Sequence, residues 1–179
     1  MKRIDIKTDR LQLCPLDIQH REHFFELVST NEAYLNESFP ITVLNTKTLV
    51  KTGAYLKSMQ EKWLLDQGGQ LGVWLEETLV GMIMLKNLDW SVPRCELGYF
   101  VGEKFASKGY TTEALNAVVQ YCFEELKLVK VYLRVIATNK ASLTLAEKCG
   151  FEKEGYFKKE YRTGNKDLVD LVYFARFAD

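Results

Sequence analysis

The stretch Phe105-Ala-Ser-Lys-Gly-Tyr-Thr-Thr-Glu113 sets small residues and one glycine between an apolar, strand-like run and a long helical pattern. At such a junction the first amides of the helix have no carbonyl to bond, and they can point at an anion such as a phosphate. Gly109 lets the backbone come close or take a φ that other residues resist, and Lys108 adds positive charge at the rim. A glycine that merely opens a tightly packed helix leaves the same trace, so the loop has to be read with its surroundings. Other reactive residue types offer less. His20 and His23 lie three apart on one helical face without further ligands, so no metal is expected. Cys14, Cys95, Cys122 and Cys149 are far apart, form no Cys-x-x-Cys pair and read as reduced, packed thiols. No Ser-His or Cys-His pairing for a covalent intermediate is visible.

These residues must be held by the elements around them. Arg10-Leu-Gln-Leu-Cys-Pro-Leu16 alternates with the period of a strand, and Asp17 stands where a helix N-cap would. The helix after it turns Ile18, Phe24, Phe25, Leu27 and Val28 toward a core. A loop is expected at Asn36 to Thr42, punctuated by Pro40. Asn45 or Thr46 would then cap a second helix running to about Gln67, with Leu49, Val50, Leu56, Met59 and Trp63 as its stripe. Gln70 to Glu76 and Leu79 to Lys86 read as a hairpin across Glu77 and Thr78. Cys95 to Val101 is a strand and Lys108 to Leu126 a helix. Val131 to Ala137 is a strand, and Lys140 to Cys149 a helix ended by Gly150. Strands near Glu152 to Tyr161 and Asp167 to Phe177 close the chain. The expected order is β-α-α-β-β-β-α-β-α-β-β in a single domain over residues 1–179.

A chain of 179 residues with 47% hydrophobic content can bury one sizeable core. Its 24 basic and 24 acidic side chains give no net field of the kind that drives non-specific binding to nucleic acid or anionic membranes, so neither is expected as a partner. The start, Met1-Lys-Arg-Ile-Asp, holds no apolar signal core, and no later run approaches a membrane span. A cytoplasmic location is the expectation.

Glu96-Leu-Gly-Tyr-Phe-Val followed by Lys108-Gly-Tyr-Thr-Thr-Glu-Ala-Leu115 resembles the acetyl-CoA signature of the GNAT acetyltransferases, whose loop reads Gln/Arg-x-x-Gly-x-Gly/Ala. The aligned positions are Ala106, Gly109 and Thr111. Ala106 and Thr111 depart from the pattern, but neither removes a backbone amide, and main-chain donors hold the pyrophosphate in this family. Downstream, Asn139-Lys-Ala-Ser142 and Lys148-Cys-Gly-Phe151 are similar to the family's second signature. The resemblance extends over the whole chain and is nearest to the ribosomal-protein N-terminal acetyltransferases (RimJ/RimL-like). It implies an α/β fold: a seven-stranded, mostly antiparallel sheet splayed between its fourth and fifth strands and flanked by about four helices. Acetyl-CoA would sit in the gap.

In that picture the edge at Tyr99, Phe100 and Val101 pairs with the pantetheine arm, and Asn139 offers its amide from the other side. Ala106, Ser107, Lys108, Gly109, Tyr110, Thr111 and Thr112 form the pyrophosphate turn. Ser142 is implied as the donor to the departing thiolate, although a serine at a helix start is ordinarily a cap. Two carboxylates compete to take the amine proton: Glu160, preceding Tyr161 as in the nearer relatives, and Glu96, a position many acetyltransferases use. The match to the nearer relatives favours Glu160. Tyr34, Phe39, Asn87 and Trp90 are candidates for the acceptor wall. The expected reaction is direct transfer of acetyl to a primary amine, preferably a protein N-terminus. A polyamine or aminoglycoside acceptor and a non-catalytic acyl-CoA-binding module are the rivals, and the family also implies a homodimer.

Overall fold

The structure, a computed structural model, describes residues 4–178. Among the described residues eight strands form one sheet in the order β1-β2-β3-β4-β5-β6-β8-β7. They are β1 (Ile6–Lys7), β2 (Gln12–Pro15), β3 (Gly69–Leu75), β4 (Thr78–Asp89), β5 (Arg94–Val101), β6 (Lys130–Ile136), β7 (Glu152–Arg162) and β8 (Leu168–Phe177). The same residues form six α-helices that cover it: α1 (Arg21–Ser29), α2 (Glu32–Ser38), α3 (Pro40–Asn45), α4 (Leu49–Leu64), α5 (Tyr110–Glu124) and α6 (Lys140–Lys148).

Side chains alternate across the sheet, and both faces are dry. Ile83, Leu85 and Leu97 point toward Leu115, Val118 and Cys122 of α5, while Met82 and Phe100 point toward Phe24 of α1 and Leu56 of α4. This double burial explains why Leu79 to Leu85 reads as an unbroken apolar run rather than an alternating one.

The seven expected strands are present. The eighth, β1, spans two residues and is too short to leave a periodic signal. The expected loop at Asn36 to Thr42 is instead the end of α2 and the start of α3, with Pro40 in the first turn of α3. Proline punctuates there by starting a helix, since its missing N–H would be unpaired in a first turn anyway. The second pattern helix is therefore capped neither by Asn45 nor by Thr46. Their side chains bond back to Ile41 and Thr42 carbonyls at 2.8 Å each and close α3, while Thr48 caps α4 by accepting from the Lys51 amide at 3.2 Å.

Every strand pair is antiparallel except β5–β6, which is parallel and short: only Arg94, Cys95 and Glu96 pair with Lys130, Val131 and Tyr132. Beyond Glu96 the two strands part. From Leu97 to Val101, β5 keeps its register with β4 and has no strand partner on the other side. The sheet is a fork whose apex is Glu96, and the gap between its arms is where the site forms.

Candidate active site

Glu96 is only 2% exposed, and three side chains converge on it. Lys86 of β4 reaches Oε1 at 2.6 Å, while Arg134 of β6 and Asn87 of β4 donate to Oε2 at 3.0 and 2.8 Å. A buried carboxylate requires such partners, because desolvation disfavours a lone charge by several kcal/mol. The register shift in β4 between Lys86 and Asp89, with Asn87 at φ 50°, turns Asn87 onto Glu96. The Glu96–Arg134 bond also ties the two arms of the fork at their branching point.

A cavity of about 110 Å³ opens beside this cluster, lined by Glu96, Gly98 and Tyr99 of β5, Arg134 and Val135 of β6, and Asn139, Ser142, Tyr34, Phe39 and Tyr161. At Ser38, Phe39, Lys86, Arg134 and Tyr161 it meets a far larger groove of about 1000 Å³, which runs past Tyr55, Met59, Asn87 and Trp90. The small space suits a reacting group and the large one a bulkier body. Tyr161 donates its hydroxyl to the Ser38 carbonyl at 3.0 Å, holding α2 against the junction.

At the far side of the cavity α6 begins. Asn139 is its N-cap, and its Oδ1 accepts from the Ser142 amide at 3.1 Å. Capping is thus done by Asn139, and Ser142 stands in the first turn, with its hydroxyl free of the cap role that its type suggested. Tyr99 reaches the same place, its hydroxyl 3.5 Å from the Ser142 carbonyl. Burial pushes the Tyr99 hydroxyl well above the usual tyrosine range, so it keeps its proton at neutral pH.

The turn at residues 106–109 precedes α5, whose first-turn amides at Tyr110, Thr111 and Thr112 have no intrahelical acceptor. Gly109 adopts φ 82° and Ser107 φ 61°, both left-handed, so successive amides curl into a cup. The cup is braced from the chain's start. Arg10 donates from Nη1 to the Lys108 carbonyl at 3.1 Å and from Nε to Glu113 Oε2 at 2.7 Å, and Thr8 donates to Glu113 Oε1 at 2.5 Å. Arg10 also lies 4.7 Å over the Tyr110 ring. Ala106, Ser107 and Lys108 are exposed, and Thr111 and Val101 of β5 line one small space.

The structure therefore brings together Glu96, Tyr99, Asn139, Ser142, Tyr34 and Phe39 around one cavity, with Asn87 and Trp90 on the groove beside it. Of the edge residues, Phe100 also lines this cavity, its ring buried beside Phe24 of α1 and edge-on to Phe39 at 5.3 Å, whereas Val101 borders a separate small space with Thr111. Glu160 does not line either space. It is exposed in the irregular segment of β7 between Phe157 and Tyr161 and accepts from the Tyr173 hydroxyl at 3.3 Å. Lys86, Arg134 and Tyr161 were not singled out from the sequence. An arginine at the centre of an otherwise apolar strand, Val131 to Ile136, is the signal that could have found one of them. His20 and His23 pack on Trp74 at 5.3 and 5.4 Å, and among the described residues no cluster of three metal-ligating side chains occurs. No helix among them is long and apolar enough to cross a membrane.

A sheet forked along its one parallel pair, with an amide cup at one end of the gap and a polar cavity at its apex, defines an acyltransferase type of domain. The model of the acetyltransferase (GNAT) domain matches residues 10–152, and the chain belongs to that family of N-acetyltransferases. It is 30% identical over 158 residues, 86% of each chain, to the uncharacterized N-acetyltransferase YoaA of Bacillus subtilis (strain 168). To the [Ribosomal protein uS5]-alanine N-acetyltransferase of Escherichia coli (strain K12) it is 34% identical over 84 residues, 46% of this chain and 43% of that one. Among solved structures RimL, a ribosomal L7/L12 alpha-N-protein acetyltransferase in complex with coenzyme A, shares the fold. The TM-score is 0.91 at 20% identity, covering 98% of this chain and 99% of that one.

Proposed function

We propose that this acetyltransferase moves an acetyl group from acetyl-CoA to the N-terminal α-amine of a protein. The observation that carries the acceptor assignment is the pairing of a cavity of about 110 Å³ at the fork with a groove of about 1000 Å³ leading from it. A groove of that size lies at the upper end of small-molecule sites and suits a peptide segment better than a compact amine.

In this reading the pyrophosphate rests on the amides of residues 107–112 and the pantetheine arm runs along the open edge of β5, pairing with Leu97 to Val101 as another strand would. The thioester then lies in the cavity beside Glu96 and Ser142. The acceptor nitrogen attacks the carbonyl carbon, the C–S bond breaks, and the amine's proton ends on the departing sulfur. Ser142 and Tyr99 supply hydroxyls that stabilise the thiolate until it is protonated. Glu96, as the carboxylate that lines the cavity, takes the role of receiving the proton through water. Its oxygens already hold Lys86, Arg134 and Asn87, which fix the carboxylate at the cavity wall. An α-amine with a pKa of about 7.7–8.0 is partly neutral near pH 7, whereas a lysine near 10.4 costs about 3–4 kcal/mol more to deprotonate than such an α-amine.

The test is CoA thiol release with ribosomal-type N-terminal peptides, polyamines and aminoglycosides as acceptors. Release with a peptide that stops when its α-amine is blocked supports the assignment. Release with a small amine alone keeps the chemistry and rejects the acceptor.

A further inference from the structure

We infer that the acceptor groove selects N-termini carrying acidic side chains in the residues that follow the α-amine, and that it turns away polycationic amines. The inference rests on the proposed assignment of this groove to a protein N-terminus. Four charged side chains line it: Lys62, Lys86 and Arg134 against the single carboxylate of Asp66. The whole chain balances 24 basic with 24 acidic residues, so the excess is local to this wall. At the inner end Lys86 and Arg134 share one carboxylate, Glu96, at 2.6 and 3.0 Å, which leaves a positive charge there uncompensated. About a third of each cation's side chain stays open, 33% and 31%, facing the junction of cavity and groove. Lys62, exposed near the end of α4, carries the positive charge outward along the path that an acceptor would leave by.

Between these cations the wall is apolar, formed by Met59, Leu65, Met84, Leu88 and Trp90. Low-dielectric walls focus the field of the few charges set in them, so the cations act over the length of the groove. Two consequences follow. A carboxylate two or three residues along a bound peptide finds a cation, while a second ammonium meets like charge. The same field disfavours the protonated form of the reacting amine and so raises its nucleophilic fraction.

The experiment compares three peptides of equal length that share the first residue and carry glutamate, glutamine or lysine at the second and third positions. Readouts are kcat/KM at low and high salt, for the wild type and for Lys62→Glu, with an α-formylated copy of each peptide as control. We expect the glutamate peptide to exceed the lysine peptide by about tenfold or more at low salt, the gap closing toward about threefold as added salt screens the wall. Lys62→Glu, an exposed position, should unfold within about 2 °C of the wild type and narrow the ratio by about threefold or more. Equal kcat/KM for the glutamate and lysine peptides, with α-amine acetylation intact, overturns the charge selection and leaves the N-terminal assignment standing. Acetylation of a polyamine with no peptide α-amine modified overturns both.

Discussion

Ser142 and the two candidate carboxylates separate sharply once their surroundings are compared. Ser142 lines the cavity from the first turn of α6, and Asn139 caps the helix. Ser142→Ala therefore leaves the cap intact, and turnover should fall about 10- to 100-fold while acetyl-CoA still binds, as titration calorimetry against kcat would show. Unchanged turnover rejects the hydroxyl as a partner of the leaving sulfur. Glu160→Gln removes an exposed carboxylate outside both spaces, and kcat/KM should stay within about threefold. Glu96→Gln takes the only carboxylate from between Lys86 and Arg134, so both activity and stability should drop, the latter by about 2–3 kcal/mol in denaturant unfolding. That loss is below the full value for a buried pair, since part of each cation meets water. The sequence offered these two glutamates as near equals. Burial of one and exposure of the other depend on where β5 and β7 lie in the sheet, which local spacing does not encode.

At the scale of elements, the amide cup depends on the turn between β1 and β2, about one hundred residues earlier in the chain. Thr8 and Arg10 reach Glu113 in the first turn of α5, and Arg10 also holds the Lys108 carbonyl. Burial pushes the Glu113 carboxyl up, but hydrogen bonds from Thr8 and Arg10 outweigh it and hold it below its usual 4.5. A depressed carboxyl contributes stability in full above its unfolded value and loses it as pH falls through the lower, folded one. The brace should thus weaken only below about pH 4.5, and Glu113→Gln should carry the acid-side loosening of acetyl-CoA binding up to neutral pH, read as a raised Kd in both conditions. Gly109→Val tests the cup from within: φ 82° resists a β-branched residue, and a Cβ there would meet Arg10 Nη2 at 3.3 Å. The acetyl-CoA KM should rise severalfold with the fold retained. The cup was legible in the sequence because Gly109 and the helix pattern after it are local signals. The brace was not, because Thr8 and Arg10 are ordinary polar residues until the sheet brings them to α5. The same limit hid the break between α2 and α3, where Pro40 is read equally well as a loop or as a helix start.

For the molecule as a whole, the fork is the weak seam of the sheet and, under the proposed function, its binding device. The halves β1 to β5 and β6 to β8 are joined within the sheet by three paired positions and by the Glu96–Arg134 bond. A ligand strand lying along Leu97 to Val101 would fill the open side of the seam and contact both arms. Binding to the native state alone adds RT ln(1 + [L]/Kd), about 2.7 kcal/mol at a hundredfold excess over Kd. For a domain of this size that is roughly a 5–10 °C rise in Tm. The gain should also be localised. Amide hydrogen exchange should slow most at residues 97–101 and 107–112 and little in β7, an edge strand whose residues are largely exposed. A Tm rise with protection spread evenly, or centred on β7, would mean that the ligand binds elsewhere and that the seam closes without it. Protection at the two arms and the cup together would mark the fork as the place where cosubstrate binding and the stability of the sheet are one event.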